Sequence, residues 1–310
     1  MKAVADSSVA VALPAAVARR AVGVRRLTRN RSVILGGAVL AVIVLIALLA
    51  PVLGTTDPTQ INPSYRNKLP GSERVIRSAD GSQATFTHRM GTDSLGRDVY
   101  SRVVYGGRVS LIIGVSVALI SMTIGLAIGL VTGYVRSLDG IVMRIMDGLM
   151  AIPAILLAIA LVSLASAGLR TVIIAILIPE VPRVVRLVRS VVLSIREEPY
   201  VEAAVALGAP LPFLLVRHVL PNALAPLIVQ ATFICASAIV VEAILSFLGV
   251  GIPPETPTWG NIMAEGRALF RVFPHNILFP GIFLAATVLA VNIMGDGLRD
   301  SLDPRLRNRL

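Results

Sequence analysis

The stretch Glu197–Leu227 has the sequence EEPYVEAAVALGAPLPFLLVRHVLPNALAPL and separates long apolar segments in the second half of the chain. Residues 203–207 favour a helix, and Gly208 can end that helix or turn the backbone. Pro210 and Pro212 disfavour one continuous helix through the region. The stretch therefore predicts a short helix, a turn and a second short helix in water. A unit of this kind can insert into another protein.

The composition predicts a polytopic, all-α integral membrane protein around that stretch. Of 310 residues, 55% are hydrophobic and 15% charged, and the mean hydropathy is +0.80. A soluble chain of this length could not bury so much apolar surface in one core. The net charge is +11, but the arginines cluster beside apolar segments, as in cytosolic loops of membrane proteins, so no nucleic-acid partner is predicted.

The N-terminal third predicts a basic cytosolic arm at 1–31 and a first membrane helix at 32–53. This apolar run of about 21 residues exceeds the roughly 7–15 residues of a signal-peptide core, so we expect it to be retained. The polar segment 54–108 is predicted to lie outside. Its end, from Val99 to Arg108, has an apolar stripe that fits either a helix at the membrane surface or a solvated lead-in to the next span.

The rest of the chain predicts a five-helix core at 109–297, a cytosolic loop at 188–222 within it, and a basic cytosolic tail at 298–310. A charged turn at 136–147 is expected between the second and third spans. The five predicted spans are Val109–Tyr134, Gly148–Ala167, Thr171–Leu187, Ala223–Val250 and Ile277–Met294. With six spans in total, both termini lie in the cytosol, as the Lys and Arg bias of the shorter loops indicates.

Three glycines in the second predicted span form overlapping G-x-x-x-G units. Gly125, Gly129 and Gly133 place small residues on one helix face, which permits close helix contact. That contact can be an interface with another subunit or packing within the chain.

Two carboxylates fall within predicted spans, where a charge is costly and often functional. Glu180 stands between Pro179 and Pro182, so either it faces a wet cavity or the apolar span ends there at the cytosolic interface. We favour the interface, because arginines follow directly. Glu242 lies well inside the fifth span and can line a substrate path or serve as a hydrogen-bonding partner between helices.

The sequence offers no catalytic residues and no metal site. His88, His218 and His275 fall in separate segments, and the single Cys235 permits neither an intrachain disulfide nor a cysteine-based metal site. A P-loop needs Gly-Lys-Ser/Thr, and neither Lys2 nor Lys68 stands in that context. Energy for uphill transport would therefore come from a partner.

Several blocks of the sequence resemble known transport proteins. The first comprises Glu202, Ala203, Ala204, Gly208, Leu220 and Pro221, and it resembles the EAA motif of ABC importer permeases. Further blocks are GTD (91–93), LGRDV (95–99), LSFLG (245–249), WGN (259–261), GDGLRD (295–300) and LDP (302–304). In this order they resemble the second permease of dipeptide, oligopeptide and nickel importers, the DppC/OppC type. The resemblance runs from Arg25 onward.

The resemblance implies a type I ABC importer (MetI-like) permease core preceded by one extra N-terminal membrane helix. In its EAA loop, Gly208 would form the turn, Glu202 a polar contact with an ATPase subunit, and Ala203, Ala204 and Leu207 the apolar contact. The implied partners are a second, homologous permease subunit in a heterodimer, two ATPase subunits, an extracytoplasmic substrate-binding protein and the lipid bilayer.

The same resemblance implies that this chain binds no cofactor and that ATP and Mg²⁺ bind the ATPase subunits. The protein would lie in the cytoplasmic membrane and import peptides. Two alternatives remain: the same machinery could import nickel or another small solute, or the chain could be a proton-coupled secondary transporter that uses Glu180 or Glu242.

Overall fold

The structure, a computed structural model, describes residues 30–77 and 83–302. Most of the predicted basic arm and residues 303–310 of the predicted tail lie outside the described residues. The helices are α1 (Arg31–Leu48), α2 (Val99–Tyr134), α3 (Arg136–Ala151), α4 (Ala154–Ser163), α5 (Leu169–Arg196), α6 (Pro199–Ala206), α7 (Leu211–Leu214), α8 (Leu220–Phe247), α9 (Trp259–Gly266) and α10 (His275–Leu302). The strands are β1 (Ser72–Arg77) and β2 (Gln83–His88).

Helix α1 packs along α10, so the first and last helices are neighbours. Asn30 caps α1 by accepting a hydrogen bond from Ser32 N at 2.9 Å, and its amide donates to Gly297 O at 3.1 Å. A Cβ placed on Gly36 would lie 2.6 Å from Ala290 O, so the two helices touch through their backbones. Helix α1 ends at Leu48, five residues before the predicted end of the first membrane helix at residue 53, and a 3-10 turn at Ala50–Val52 follows.

The long polar segment contains an antiparallel hairpin of β1 and β2, in which Ser72 pairs with His88 and Arg77 with Gln83. Sequence reasoning predicted no regular element there. The membrane part is helical as predicted, and this hairpin adds a small sheet on the predicted outer side.

The expectation of a separate surface helix before the second span is wrong. Asp98 caps α2 by accepting from Ser101 N at 2.8 Å, and the helix then runs 36 residues to Tyr134. Val99 and Val103 are fully buried. Their apolar stripe packs on the protein core and not on lipid, so the segment continues the span.

The third predicted span is also divided differently. The segment expected to be a charged turn is helical in α3, and α4 follows at a bend of 85°. Pro153 stands at the break, where it cannot donate a backbone hydrogen bond to α3. Asp147 of α3 accepts from Arg186 Nη2 of α5 at 2.6 Å, and Asp139 pairs with Arg189. These partly exposed ion pairs accompany the packing of α3 against α5.

Helix α5 runs without interruption through Pro179 and Pro182 to Arg196. The helix thus continues past Glu180, and the position of Glu180 relative to the membrane interface stays a prediction. Neighbouring helices supply the packing that keeps a proline-containing helix intact, and α5 makes its most extensive contact with α2.

The face of α2 that carries its spaced glycines forms this contact with α5. A Cβ on any of its three spaced glycines would lie within 2.5–2.6 Å of a valine Cβ on α5. The pairs are Gly125 with Val184, Gly129 with Val188, and Gly133 with Val192. This face therefore serves packing within the chain and does not form an interface with another subunit.

Four helical segments in the described residues are long and apolar enough to cross a membrane: α1, α2, α7–α8 and α10. The bent pair α3–α4 brings the number to five if it counts as one span. Helix α5 does not qualify, because Arg170, Glu180, Arg183 and Arg186 interrupt its apolar character. The chain is multi-pass, and the count of six stays a prediction.

Candidate functional site

The stretch 197–227 begins with the short helix that the sequence predicts. Helix α6 starts at Pro199, a position that needs no backbone donor, and ends in a left-handed turn at Gly208, whose φ is +79°. Gly208 N donates to Val205 O at 2.9 Å, and Ala209 N donates to Ala204 O at 3.1 Å. This is the Schellman arrangement, which glycine adopts without steric cost.

The second half of the stretch differs from the expectation. Pro210 caps α7 and Pro212 stands in its first turn, where a proline interrupts no hydrogen bond. A π-turn at Leu215–Val219 then joins α7 to α8. The segment Leu211–Phe247 is a single helical segment of 37 residues, so the second short helix is the lower end of the fifth span.

The end of this loop presents apolar side chains to solvent. Leu207 is 89% exposed, and Val205, Phe213 and Val216 are 49–64% exposed. We call these four residues, together with exposed Glu202 and Ala203 and half-buried Ala204, the α6 knob. Contiguous apolar exposure of this kind marks an interaction site. The other predicted residues, Leu220 and Pro221, lie at the start of α8, beyond the knob.

Two contacts fix the knob to the helix that follows it. Val201 and Leu214 are buried and anchor the loop in the core. The His218 ring lies 5.7 Å from the rings of both Tyr200 and Phe213, so it braces α6 against α7. The knob and the lower end of α8 are thus one mechanical unit.

Glu180 is buried between α5 and α8. Its Oε1 accepts hydrogen bonds from Arg183 Nη1 at 2.9 Å and from Ser237 Oγ at 3.4 Å. Its Oε2 is buried without a hydrogen-bond partner among the described residues. The side chain is buried within the protein, and its depth in the membrane, for which the sequence favoured the cytosolic interface, stays a prediction.

Glu242 is fully buried between α2 and α8. It accepts from Ser246 Oγ at 2.8 Å and from Ser110 Oγ at 3.4 Å. These contacts match the structural alternative, a hydrogen-bonding partner between helices, and leave the carboxylate without access to an open path in this conformation.

A cavity of about 570 Å³ opens beside the loop, between Leu187 of α5, the first half of α8 and the end of α10. Its polar wall consists of Asn222, Gln230 and Arg299. Sequence reasoning missed these three residues. The signal that could have found them is the polar spacing of Asn222 and Gln230 at i and i+8, which places both on one face of α8.

A second group, on the predicted outer side, was also missed as a site. Asp93 Oδ2 accepts from Arg97 Nε and Arg102 Nη1, each at 2.7 Å. Glu265 of α9 accepts from Arg102 Nη1 at 2.5 Å and also pairs with Arg97. The GTD and LGRDV blocks therefore meet the outer segment before α10 in a buried ionic quartet.

Comparisons with known proteins agree with this architecture. Residues 121–308 match the family described as binding-protein-dependent transport system inner membrane component. Residues 20–70 match the N-terminal transmembrane domain of oligopeptide transport permease C.

Several relatives cover about nine tenths of the chain. One is the probable peptide ABC transporter permease protein y4tQ of Sinorhizobium fredii, 50% identical over 92% of this chain and 93% of the relative. Another is the di/tripeptide transport system permease protein DppC of Pseudomonas aeruginosa, 41% identical over 90% of each chain.

The fold resembles a chain of the MetNI methionine ABC transporter in an inward-facing conformation, with a TM-score of 0.54 and 20% identity. The match covers 65% of this chain and 96% of that chain. On the match over more than half of its length, the chain belongs to the family of binding-protein-dependent transport system inner membrane components.

Proposed function

We propose that the chain is a permease subunit of an ATP-driven importer of di- or oligopeptides, forms half of the translocation path, and receives work from an ATPase through the α6 knob. The observation that carries this proposal is the knob itself: an almost fully exposed Leu207 beside a left-handed Gly208, at the end of a membrane bundle. Family membership and the peptide names of the relatives support it.

The complete importer would contain a second, homologous permease subunit, two ATPase subunits that hold ATP and Mg²⁺, and a substrate-binding protein outside the cell. The chain would lie in the cytoplasmic membrane with both termini in the cytosol, which puts the knob on the ATPase side. The positive-inside bias of the loops supports this orientation.

The geometry suggests how movement of the ATPase reaches the membrane. A push on the knob passes through the His218 brace to α7, which continues into α8 without a break. At 1.5 Å per residue, the segment Leu211–Phe247 is about 55 Å long, enough to cross the bilayer. Movement of the loop is therefore transmitted along the fifth span to the other side of the membrane.

A paired substitution of two equally exposed leucines tests this role. Leu207→Ser removes an apolar contact from the knob, and Leu164→Ser changes a leucine that is 87% exposed at the end of α4. We expect Leu207→Ser to reduce co-purification of the ATPase subunits with the permease pair, while Leu164→Ser leaves it unchanged. Equal retention of the ATPase by both variants would contradict the docking role.

The choice between energy sources needs a transport measurement. In proteoliposomes with the complete importer, we expect dipeptide uptake to require ATP and to continue without a pH gradient. Uptake driven by a pH gradient in vesicles without ATPase subunits would instead favour the secondary transporter.

A further inference from the structure

We propose that the groove between α1 and α2 holds one glycerophospholipid, with an acyl chain between the two helices and the phosphate at Arg108. The groove has a volume of about 640 Å³, within the roughly 300–1,000 Å³ of small-molecule sites. Both helices are long and apolar enough to cross a membrane, so an acyl chain can enter the groove from the surrounding bilayer. This lipid site would exist whether or not the α6 knob docks an ATPase.

The two walls of the groove carry facing stripes of side chains. Leu40, Val44 and Leu48 line it from α1, and their spacing of four residues places them on one helix face. Arg108 and Ser116 line it from α2. Arg108 Nη2 donates to Leu48 O at 2.9 Å, so the end of α1 and the start of α2 meet at the charged end of the groove.

The length of the groove fits one leaflet of a bilayer. From Leu40 to Leu48 is about 12 Å along the axis of α1, and from Arg108 to Ser116 is about 12 Å along α2, at 1.5 Å per residue. One leaflet contributes about half of the roughly 30 Å hydrocarbon core. A membrane-spanning helix of another subunit would need a groove about as long as the full core, whereas an acyl chain needs only half of it. The length therefore favours a lipid over a helix.

Arg108 places a positive charge at the end of this apolar groove. Its Nε and Nη2 donate to the carbonyls of Ala47 and Leu48 at the end of α1, and its Cζ lies 5.0 Å from the centre of the Tyr105 ring. Within residues 30–77 and 83–302, Arg108 pairs with no carboxylate, and its Nη1 has no hydrogen-bond partner. The guanidinium is thus held in place while its charge lacks an anion in the described part of the chain.

A phospholipid phosphate is the anion that the bilayer supplies at this position. Arginine and tyrosine side chains near the ends of membrane helices lie at the level of the lipid headgroups, and Arg108 and Tyr105 stand at such an end. Nη1 and the second hydrogen of Nη2 form one edge of the guanidinium, and such an edge can bind two phosphate oxygens. The charged end and the apolar groove therefore match the two parts of a phospholipid.

The floor of the groove provides a place to detect the lipid. Cys235 of α8 and Val291 of α10 form that floor, and Val291 is buried. A lipid in the bulk bilayer reaches outward-facing residues such as Leu45, which is exposed and does not line the groove. Only an acyl chain inside the groove reaches the floor.

Photo-crosslinking with lipid probes tests the proposal. The chain, purified with its partner subunits, is placed in phosphatidylcholine nanodiscs that contain a small fraction of phosphatidylglycerol with a diazirine in one acyl chain. Diacylglycerol with the same chains is the matched probe without a phosphate. We expect adducts on the peptide that contains Cys235, with about tenfold more from phosphatidylglycerol than from diacylglycerol, the difference expected for one hydrogen bond to a charged group.

Two neighbouring residues of α1 give a matched pair of variants. Val44→Trp fills the groove and should abolish the adducts at Cys235, while Leu45→Trp, at a position that does not line the groove, should leave them unchanged. Arg108→Gln should lower the phosphatidylglycerol signal about tenfold and leave the diacylglycerol signal unchanged. The two probes on the unsubstituted chain decide phosphate recognition even where Arg108→Gln loosens α1.

Other outcomes overturn the proposal. Equal labelling by the two probes refutes recognition of the phosphate by Arg108. Absence of adducts at Cys235, or equal loss of adducts in both tryptophan variants, refutes the acyl-chain site. If the adducts form only in the isolated chain, another subunit fills the groove and the assembled protein has no lipid site there.

Discussion

Arg102→Met should loosen the outer end of the protein, because it breaks the buried ionic quartet. Arg102 is 1% exposed, and its guanidinium reaches Asp93 Oδ2 at 2.7 Å, Glu265 Oε2 at 2.5 Å and Pro254 O at 3.3 Å. Methionine fills similar space but leaves two carboxylates facing Arg97 alone. Removing one partner from a buried pair costs about 3–5 kcal/mol, whereas a surface pair contributes about 0–1 kcal/mol.

The measurement is the free energy of unfolding in detergent micelles, together with protease cleavage between α8 and α10. Arg271→Met, a change of an exposed arginine in the same outer segment, serves as the control and should shift stability by less than about 0.5 kcal/mol. Adding Glu265→Gln to Arg102→Met should recover part of the loss, since one uncompensated charge is removed.

A loss from Arg102→Met no larger than the control loss would refute the reasoning. It would mean that water reaches the quartet and screens its charges. The same conclusion would follow if the double variant were simply the sum of the two single variants.

Substitutions at Gly129, Glu242 and Trp259 probe the helix contacts, and Gly37 serves as a control. Gly129→Leu should destabilise the protein by about 1–3 kcal/mol or more by overpacking against Val188, while Gly37→Leu, at a glycine with open space around it, should not; thermal unfolding compares them. Glu242→Gln keeps an acceptor for its hydroxyl partners and should cost less than about 1.5 kcal/mol, whereas Glu242→Ala should cost more by leaving a cavity and unpaired hydroxyls. Trp259→Ala should cost about 3–5 kcal/mol, because the fully buried indole packs in the core and donates to a backbone carbonyl of α2.

Local chemistry made part of the candidate site predictable. Gly208 had to occupy a turn because only a residue tolerant of positive φ ends such a helix cheaply, and the turn lies there. The three spaced glycines of α2 predicted close helix contact, and the contact exists. The sequence did not say which element packs on these glycines, because their spacing identifies a helix face of small residues but not the surface that covers it.

Other features depended on contacts between distant segments. The two prolines disfavour a continuous fourth helix, but α5 packs against α2 and continues through Pro179 and Pro182 to Arg196. Similarly, residues 136–147 look like a charged turn until Asp139 and Asp147 meet the arginines of α5. These partly exposed pairs contribute little energy by themselves, but they show that α3 lies against α5, a contact that no local sequence pattern reveals.

By itself, the sequence determined the membrane class, the existence of the long apolar segments in α1, α2, α8 and α10, and the turn at Gly208, since hydropathy and backbone propensity act over a few residues. Only the tertiary structure decided that Glu180 is buried beside Arg183, that Glu242 joins two helices, and that a cavity with three polar residues in its wall opens beside the loop. The physical reason is that burial and pairing of charges depend on which helices become neighbours. That choice is made by packing across the whole chain.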